Sequence, residues 1–449
     1  MIPIMKTLKI FAYGMAIACL GINASCGNKA KANATEEAAN VVQTTAISFS
    51  SDQDVTQFRG PNRDGIYSAE SGLLKQWPEG GPQLLWENSD LVQGYSSPAV
   101  MSGTVYITGM SEDKTQEVFF AIDSTGKILY KTPYGKPWKD SYPETRTTPT
   151  IVDGKAYVIS GMGEVACINI ADGSIVWQVD GTAKYGSTTG NWGTAECPLI
   201  VDNKVIYSPG GNQTTIVALD KETGAEIWKS RSLGEARNYV QPTLITWNGK
   251  RQIVGGTNNN YYGADPETGE IQWTATGWYP PSEWENIAPN GAVFKDGILV
   301  FSQGYGINTT AFKLADDLKS VSVAWKNDDL STHHGGYVLV DGVVYGSNWV
   351  NNTSGNWVAV DFATGKTLYN EAWSGGKGKG STVYADGMLY TYDERRGFVG
   401  LVRPTKEKYD VVSEFRVSKG SGPYWAHIVI SNGIMYVRHG EYLAAYKVK

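Results

Sequence analysis

Apolar and polar positions alternate with period two in short runs, each stopped by an Asp-Gly, Asn-Gly or Asp-x-x-x-Gly turn. That alternation predicts strands joined by tight turns, with no long helix between them. One copy runs Pro149-Thr-Ile-Val-Asp153-Gly154-Lys-Ala-Tyr157, then Ala166-Cys-Ile-Asn169-Ile-Ala-Asp172-Gly173-Ser-Ile-Val-Trp177. The next runs Pro198-Leu-Ile-Val-Asp202-Asn203-Lys-Val-Ile-Tyr207, then Ala218-Leu-Asp220-Lys-Glu-Thr-Gly224-Ala-Glu-Ile-Trp228. Laid over the whole chain, the pattern places outer-strand aromatics at Trp86, Tyr130, Trp177, Trp228, Trp273, Trp325, Tyr369 and Phe415. Tyr130, Tyr369 and Phe415 replace Trp and predict looser docking of their blades.

A spacing of roughly 40 to 50 residues is that of one propeller blade, so the repeat predicts an all-β, eight-bladed β-propeller. The copy beginning near His427 ends the chain without an outer strand, and Leu84-Leu85-Trp86-Glu87 is an outer strand with no blade before it. Pairing the two closes the ring and leaves only short sheet edges. The 449 residues are therefore read as one ring rather than several domains, and Gly 52, Trp 15 and Tyr 26 agree with an all-β chain. A formal charge of −6 offers no basic stripe for nucleic acid.

The N-terminus changes the picture of where the ring resides. Met5-Lys6-Thr7-Leu8-Lys9 followed by an apolar stretch from Ile10 to Ile22 reads as a secretory signal, too short to span a bilayer. Ala24-Ser25-Cys26-Gly27 resembles a lipoprotein processing site, with Asn23 where Leu is usual, so residues 1–26 read as a signal peptide with a lipobox-like end, cut ahead of Cys26, which stays on the mature chain and is acylated. Ordinary secretion, or a cut at Cys19 instead, is the alternative. Residues 27–56 lack periodicity and read as a flexible tether; 57–449 form the propeller. The expected location is the periplasm or outer membrane. Cys167 occupies a small-residue slot filled by Ala in other copies and reads as a buried thiol; a bridge to Cys197 is open in an oxidising compartment.

Phe58-Arg59-Gly60-Pro61-Asn62-Arg63-Asp64-Gly65, ahead of blades carrying Ala-x-Asp-x-x-Thr-Gly-x-x-x-Trp, resembles the PQQ-like (quinoprotein alcohol dehydrogenase-like) propeller repeats. Within them the chain is similar to bacterial lipoproteins of the barrel-assembly-scaffold group and to the polyvinyl-alcohol-dehydrogenase-like group. The resemblance covers residues 57–449 and implies that each repeat Trp docks its blade on the next. It is weaker for function, because one fold hosts many activities. Quinoprotein dehydrogenases of this kind carry a tandem Cys pair beside the quinone and a Ca²⁺ site. No Cys-Cys occurs here, nor a Cys-x-x-Cys-His haem attachment, so a redox enzyme of the classical type is not expected; no cofactor is assigned, and PQQ is left open against the absent tandem Cys pair.

By register, the approaches to the inner strands present Tyr95, Arg146, Glu196, Tyr239, Asn290, His334, Lys379 and Trp425 to the channel rim. All four histidines, His333, His334, His427 and His439, fall in the last three blades and on this face. With Lys379, Glu394, Arg438 and Arg146, and with Trp425 as a stacking plate, they predict a concave basic pocket for a small polar or anionic ligand, saccharides included. The resemblance supports His333, His334, Lys379, Glu394, His427, Arg438 and His439 as site residues without assigning roles. A metal site on the histidines and Asp393 or Glu394 is not expected, because adjacent His333 and His334 would point apart on a strand. Histidines bonded only to neighbouring loops remain an open alternative. Aromatics in the long loops, Trp138, Tyr142, Tyr185, Trp192, Trp278, Tyr279 and Trp284, are either ligand platforms or loop anchors. The reading is an envelope binding or scaffold protein, with a ligand or protein partner on the funnel face. The alternative is an enzyme of quinoprotein-dehydrogenase or other sugar-acting type at the His/Lys/Arg cluster.

Overall fold

Short strands bounded by turns have no stable existence alone, and here they assemble as eight four-stranded antiparallel blades, one of them extended by a parallel strand at Ile66–Tyr67, in a computed structural model that describes residues 49–275 and 287–449. Blades 1 to 7 span 99–135, 150–180, 199–229, 243–275, 293–327, 337–371 and 380–416. Blade 8 combines the last three strands, Val429–Ser431, Ile434–His439 and Tyr442–Lys447, with Gln83–Asn88 from the other end of the chain. Leu84 lies opposite Tyr446 and Trp86 opposite Ala445, which is the expected closure. Cys26 and most of the tether lie outside the described residues.

The repeat signature has a packing reason. Trp177 donates its indole N–H to Lys221 O at 3.0 Å, Trp228 to Pro266 O at 3.2 Å and Trp325 to Phe362 O at 2.9 Å, in each case the turn of the following blade. A Cβ on the glycine of that turn would stand 2.8 Å from Trp177 at Gly224 and 2.4 Å from Trp228 at Gly269. The ring of one blade and the missing side chain of the next are thus one interlocking contact. Within the blade each aromatic faces a small residue, Cys167 for Trp177 and Ala218 for Trp228, and the strand bulges one residue before it. Cys167 and Cys197 are both free and buried.

Blade 7 departs from the expected register. Its bulge precedes Ser413, so the repeat slot is Ser413 and Phe415 lies two residues beyond it. Trp77 from the N-terminal segment compensates: its backbone N–H donates to Ser413 Oγ at 3.0 Å, and its ring packs edge-on against Phe415 at 5.4 Å.

The other departure is the N-terminal segment. Residues 49–56, read as part of the tether, are docked on the ring, with Val55 buried and bridged to Val100, and Ile151 N–H donating to Thr56 O at 2.7 Å. Phe58 to Gly65 then crosses the axis as a plug. The Arg63 guanidinium donates to Thr150 Oγ1, to the Cys197 and Pro198 carbonyls and to Pro242 O, tying blades 2, 3 and 4. The Arg59 guanidinium donates to Tyr337 O at 2.7 Å and Thr382 O at 3.1 Å and meets His427 Nδ1 at 2.9 Å, tying blades 6, 7 and 8.

Candidate functional site

Above the plug, the loops that enter the inner strands surround a cavity of about 480 Å³. Tyr95, Tyr142, Trp192, Tyr239, Tyr305 and Trp425 wall it, and Phe58 lines it beside His427 with ring centres 5.0 Å apart. Trp425 is the hub of one wall, 4.7 Å from Tyr95, 4.9 Å from Tyr142 and 4.8 Å from His334. Trp192 is held by Ser141 Oγ, which accepts its indole N–H at 3.0 Å, and its backbone N–H donates to Tyr239 OH at 2.9 Å.

His333 and His334 lie in an irregular stretch before the strand Tyr337–Val340, not on a strand. The turn-forming Gly336, at φ +69°, leaves room for the Arg59 guanidinium, which a Cβ would meet at 2.1 Å. Asn290 holds the stretch from below, its amide donating to Thr332 O and His333 O and its oxygen accepting from Gly336 N–H at 3.1 Å. The two imidazoles therefore converge, with centres 4.0 Å apart, where strand geometry would have separated them. His334 Nε2 stands 3.7 Å from Glu394 Oε2, and Lys379 pairs with the other oxygen of Glu394.

The structure brings Arg146, His333, His334, Glu394, Trp425 and His427 to one cavity, with Lys379 buried behind Glu394. Arg438 and His439 are a correction. Arg438 turns into the seam between blades 8 and 1, donating to Ser96 O and Oγ, Thr108 O, Val92 O and Gly440 O. His439 stacks on Tyr424 at 3.6 Å and has both ring nitrogens at 2.7 Å from the carbonyls of Lys419 and Gly422. Arg438 satisfies carbonyls at the seam between blades 8 and 1, and His439 is held by the loop between blades 7 and 8.

The expected basic character rests on arginine and not on the histidines. Burial, with Lys379 adding to it, pushes His333 down to about 3; burial, with Arg59 adding to it, does the same to His427; and burial, with its cationic neighbours adding to it, holds His334 well below the usual range. The imidazoles are neutral at neutral pH, and the cavity's charges are Arg146 and Arg395 against Glu394. Arg146 is anchored through Glu144 O at 2.8 Å and Tyr142 O at 2.6 Å.

Among the loop aromatics, Tyr142 and Trp192 reach the cavity. Trp138 donates to Ser141 O at 3.1 Å and Tyr185 is buried, so these two act as anchors. Trp278, Tyr279 and Trp284 lie outside the described residues. Sequence reasoning missed Phe58, Arg59 and Tyr305; the first two stood in a quoted motif, but nothing local revealed that the motif enters the channel.

Comparison with known proteins gives a match to the family described as outer membrane protein assembly factor BamB, over residues 72–187 and 117–371. The outer membrane protein assembly factor BamB of Moranella endobia is 24% identical over 209 residues, 44% of this chain and 48% of that protein. Quinohemoprotein alcohol dehydrogenase ADH-IIG of Pseudomonas putida is 24% identical over 250 residues, 50% of this chain and 33% of the relative. The matches thus span about half, or less, of these curated relatives. The crystal structure of quinohemoprotein alcohol dehydrogenase from Comamonas testosteroni superposes with a TM-score of 0.67 at 13% identity, covering 89% of this chain and 81% of that one, a likeness of fold. The residues here do not fit the quinone arrangement that the fold family implies: the sequence has no adjacent cysteines, and neither Cys167 nor Cys197 lines the cavity.

Proposed function

Because this chain belongs to the family described as outer membrane protein assembly factor BamB, we propose that it is an exported envelope propeller whose funnel binds a small, oxygen-rich ligand with a flat apolar face, a saccharide being the best fit. The observation that carries this reading is the aromatic-walled cavity of about 480 Å³, whose lining Trp425 shares with Arg146, His334 and Glu394. Flat apolar faces flanked by a few donors and acceptors are what a sugar ring requires. Redox catalysis ranks behind binding because the adjacent cysteines are missing from the sequence.

Calorimetric titration with a panel of neutral and acidic mono- and oligosaccharides tests it. At least one should bind, and Trp425→Ala should weaken that binding about 10-fold, the loss of roughly 1.4 kcal/mol of stacking and burial. No binding across the panel, or equal binding by the variant, would overturn the reading and favour a protein partner on this face.

The anchoring proposal rests on Cys26. Two or more acyl chains on that residue would hold the ring at a membrane without a spanning helix. Cys26→Ser should move the protein to the soluble fraction of disrupted cells; equal membrane retention would refute acyl anchoring.

A further inference from the structure

We propose that His333, His334 and Glu394 form a binding site for a divalent transition ion of borderline softness, such as zinc or cobalt, open to the funnel. One donor atom from each of the three lies within 4.8 Å of the others. Around an ion with bonds of about 2.0 to 2.2 Å, tetrahedral donors stand roughly 3.4 Å apart. His334 Nε2 and Glu394 Oε2 are already 3.7 Å apart, so small side-chain rotations complete the set.

Three observations point to a ligand rather than to packing. His333 is nine-tenths buried, yet neither of its ring nitrogens has a hydrogen-bond partner, nor does His334 Nε2. Buried polar atoms without partners are costly, and here they converge on one point. Their neighbours are aromatic faces, with ring centres of Tyr305 at 4.7 Å from His333 and of Trp425 at 4.8 Å from His334, and no hydrogen bond from either His333 nitrogen is made to them. Finally, Lys379 occupies one oxygen of Glu394 and so fixes the carboxylate with its other oxygen toward His334.

The donor set decides the ion class. Two imidazoles and one carboxylate suit zinc, cobalt or ferrous iron, whereas calcium and magnesium require oxygen cages. Three protein ligands beside a cavity leave a further coordination position facing the funnel, the arrangement of an ion that meets a ligand rather than one that staples a fold. The charge of Lys379 opposes the ion and lowers its affinity.

Cobalt(II) alone, added to the tag-free, metal-stripped full chain, is the test, and its result stands whether or not a saccharide enters the funnel. The expected result is one ion per chain, micromolar or tighter, with a visible ligand-field band. His334→Ala and Glu394→Gln should each weaken binding at least about 10-fold without loss of the folded ring by circular dichroism. Glu112→Gln, at an exposed site on another blade, should change nothing. Sub-stoichiometric uptake, absence of the band, or equal affinity in the folded Glu394→Gln protein would overturn the proposal.

Discussion

Glu117 is a carboxyl group placed where water does not reach. It accepts Tyr134 O–H at 2.6 Å and Gly161 N–H at 2.9 Å, and burial, opposed by the Tyr134 bond, raises it from 4.5 to about 7. The folded protein therefore keeps this proton where the unfolded chain has released it. The resulting stability is present below about pH 4.5 and is lost as pH rises to 7, with a magnitude on the order of 3 kcal/mol. Subtracting the urea-derived stability of Glu117→Gln from that of the wild type at each pH should give a difference that falls across this window. A flat difference would mean that Glu117 ionises as freely as an exposed carboxylate. Neutral imidazoles belong to the same physics, since burial that forbids charge on Glu117 forbids it on His333 and His427. Sequence register placed these histidines on the correct face but could not report their charge.

At the level of elements, blades were legible because each contact that builds them is local and repeated. An aromatic, a small residue opposite it and a turn glycine in the next copy recur at fixed offsets, and the outer strands follow. The plug was not legible. Arg59 bonds Thr382, 323 residues away, and nothing near Arg59 in sequence marks that destination. Arg438 failed for the same reason: Ser96 and Thr108 take its guanidinium across separations of 342 and 330 residues, so a rim position became a seam latch. The plug's weight can be measured. Arg63→Ala removes charged hydrogen bonds to three blades and leaves buried carbonyls open, a cost of about 3 to 5 kcal/mol. Arg251→Ala, which breaks surface pairs with Asp202 and Glu267, should cost no more than about 1 kcal/mol. Equal denaturant midpoints for the two variants would show that the plug is a passenger.

For the molecule as a whole, the pairing of Gln83–Asn88 with Tyr442–Lys447 sets an order of events. Synthesis from the N-terminus delivers Gln83–Asn88 before the strands of the seven other blades and Tyr442–Lys447 after them. Until the final residues arrive, blade 8 cannot exist, Arg59 has no His427 to meet, and the Ser96 and Thr108 carbonyls wait for Arg438. An emerging chain therefore carries an open arc with an unpaired strand at its leading end, the state in which edge strands seek foreign partners. Completion is a single late event, and a chain shortened by even one strand at its end would remain an arc for its whole lifetime.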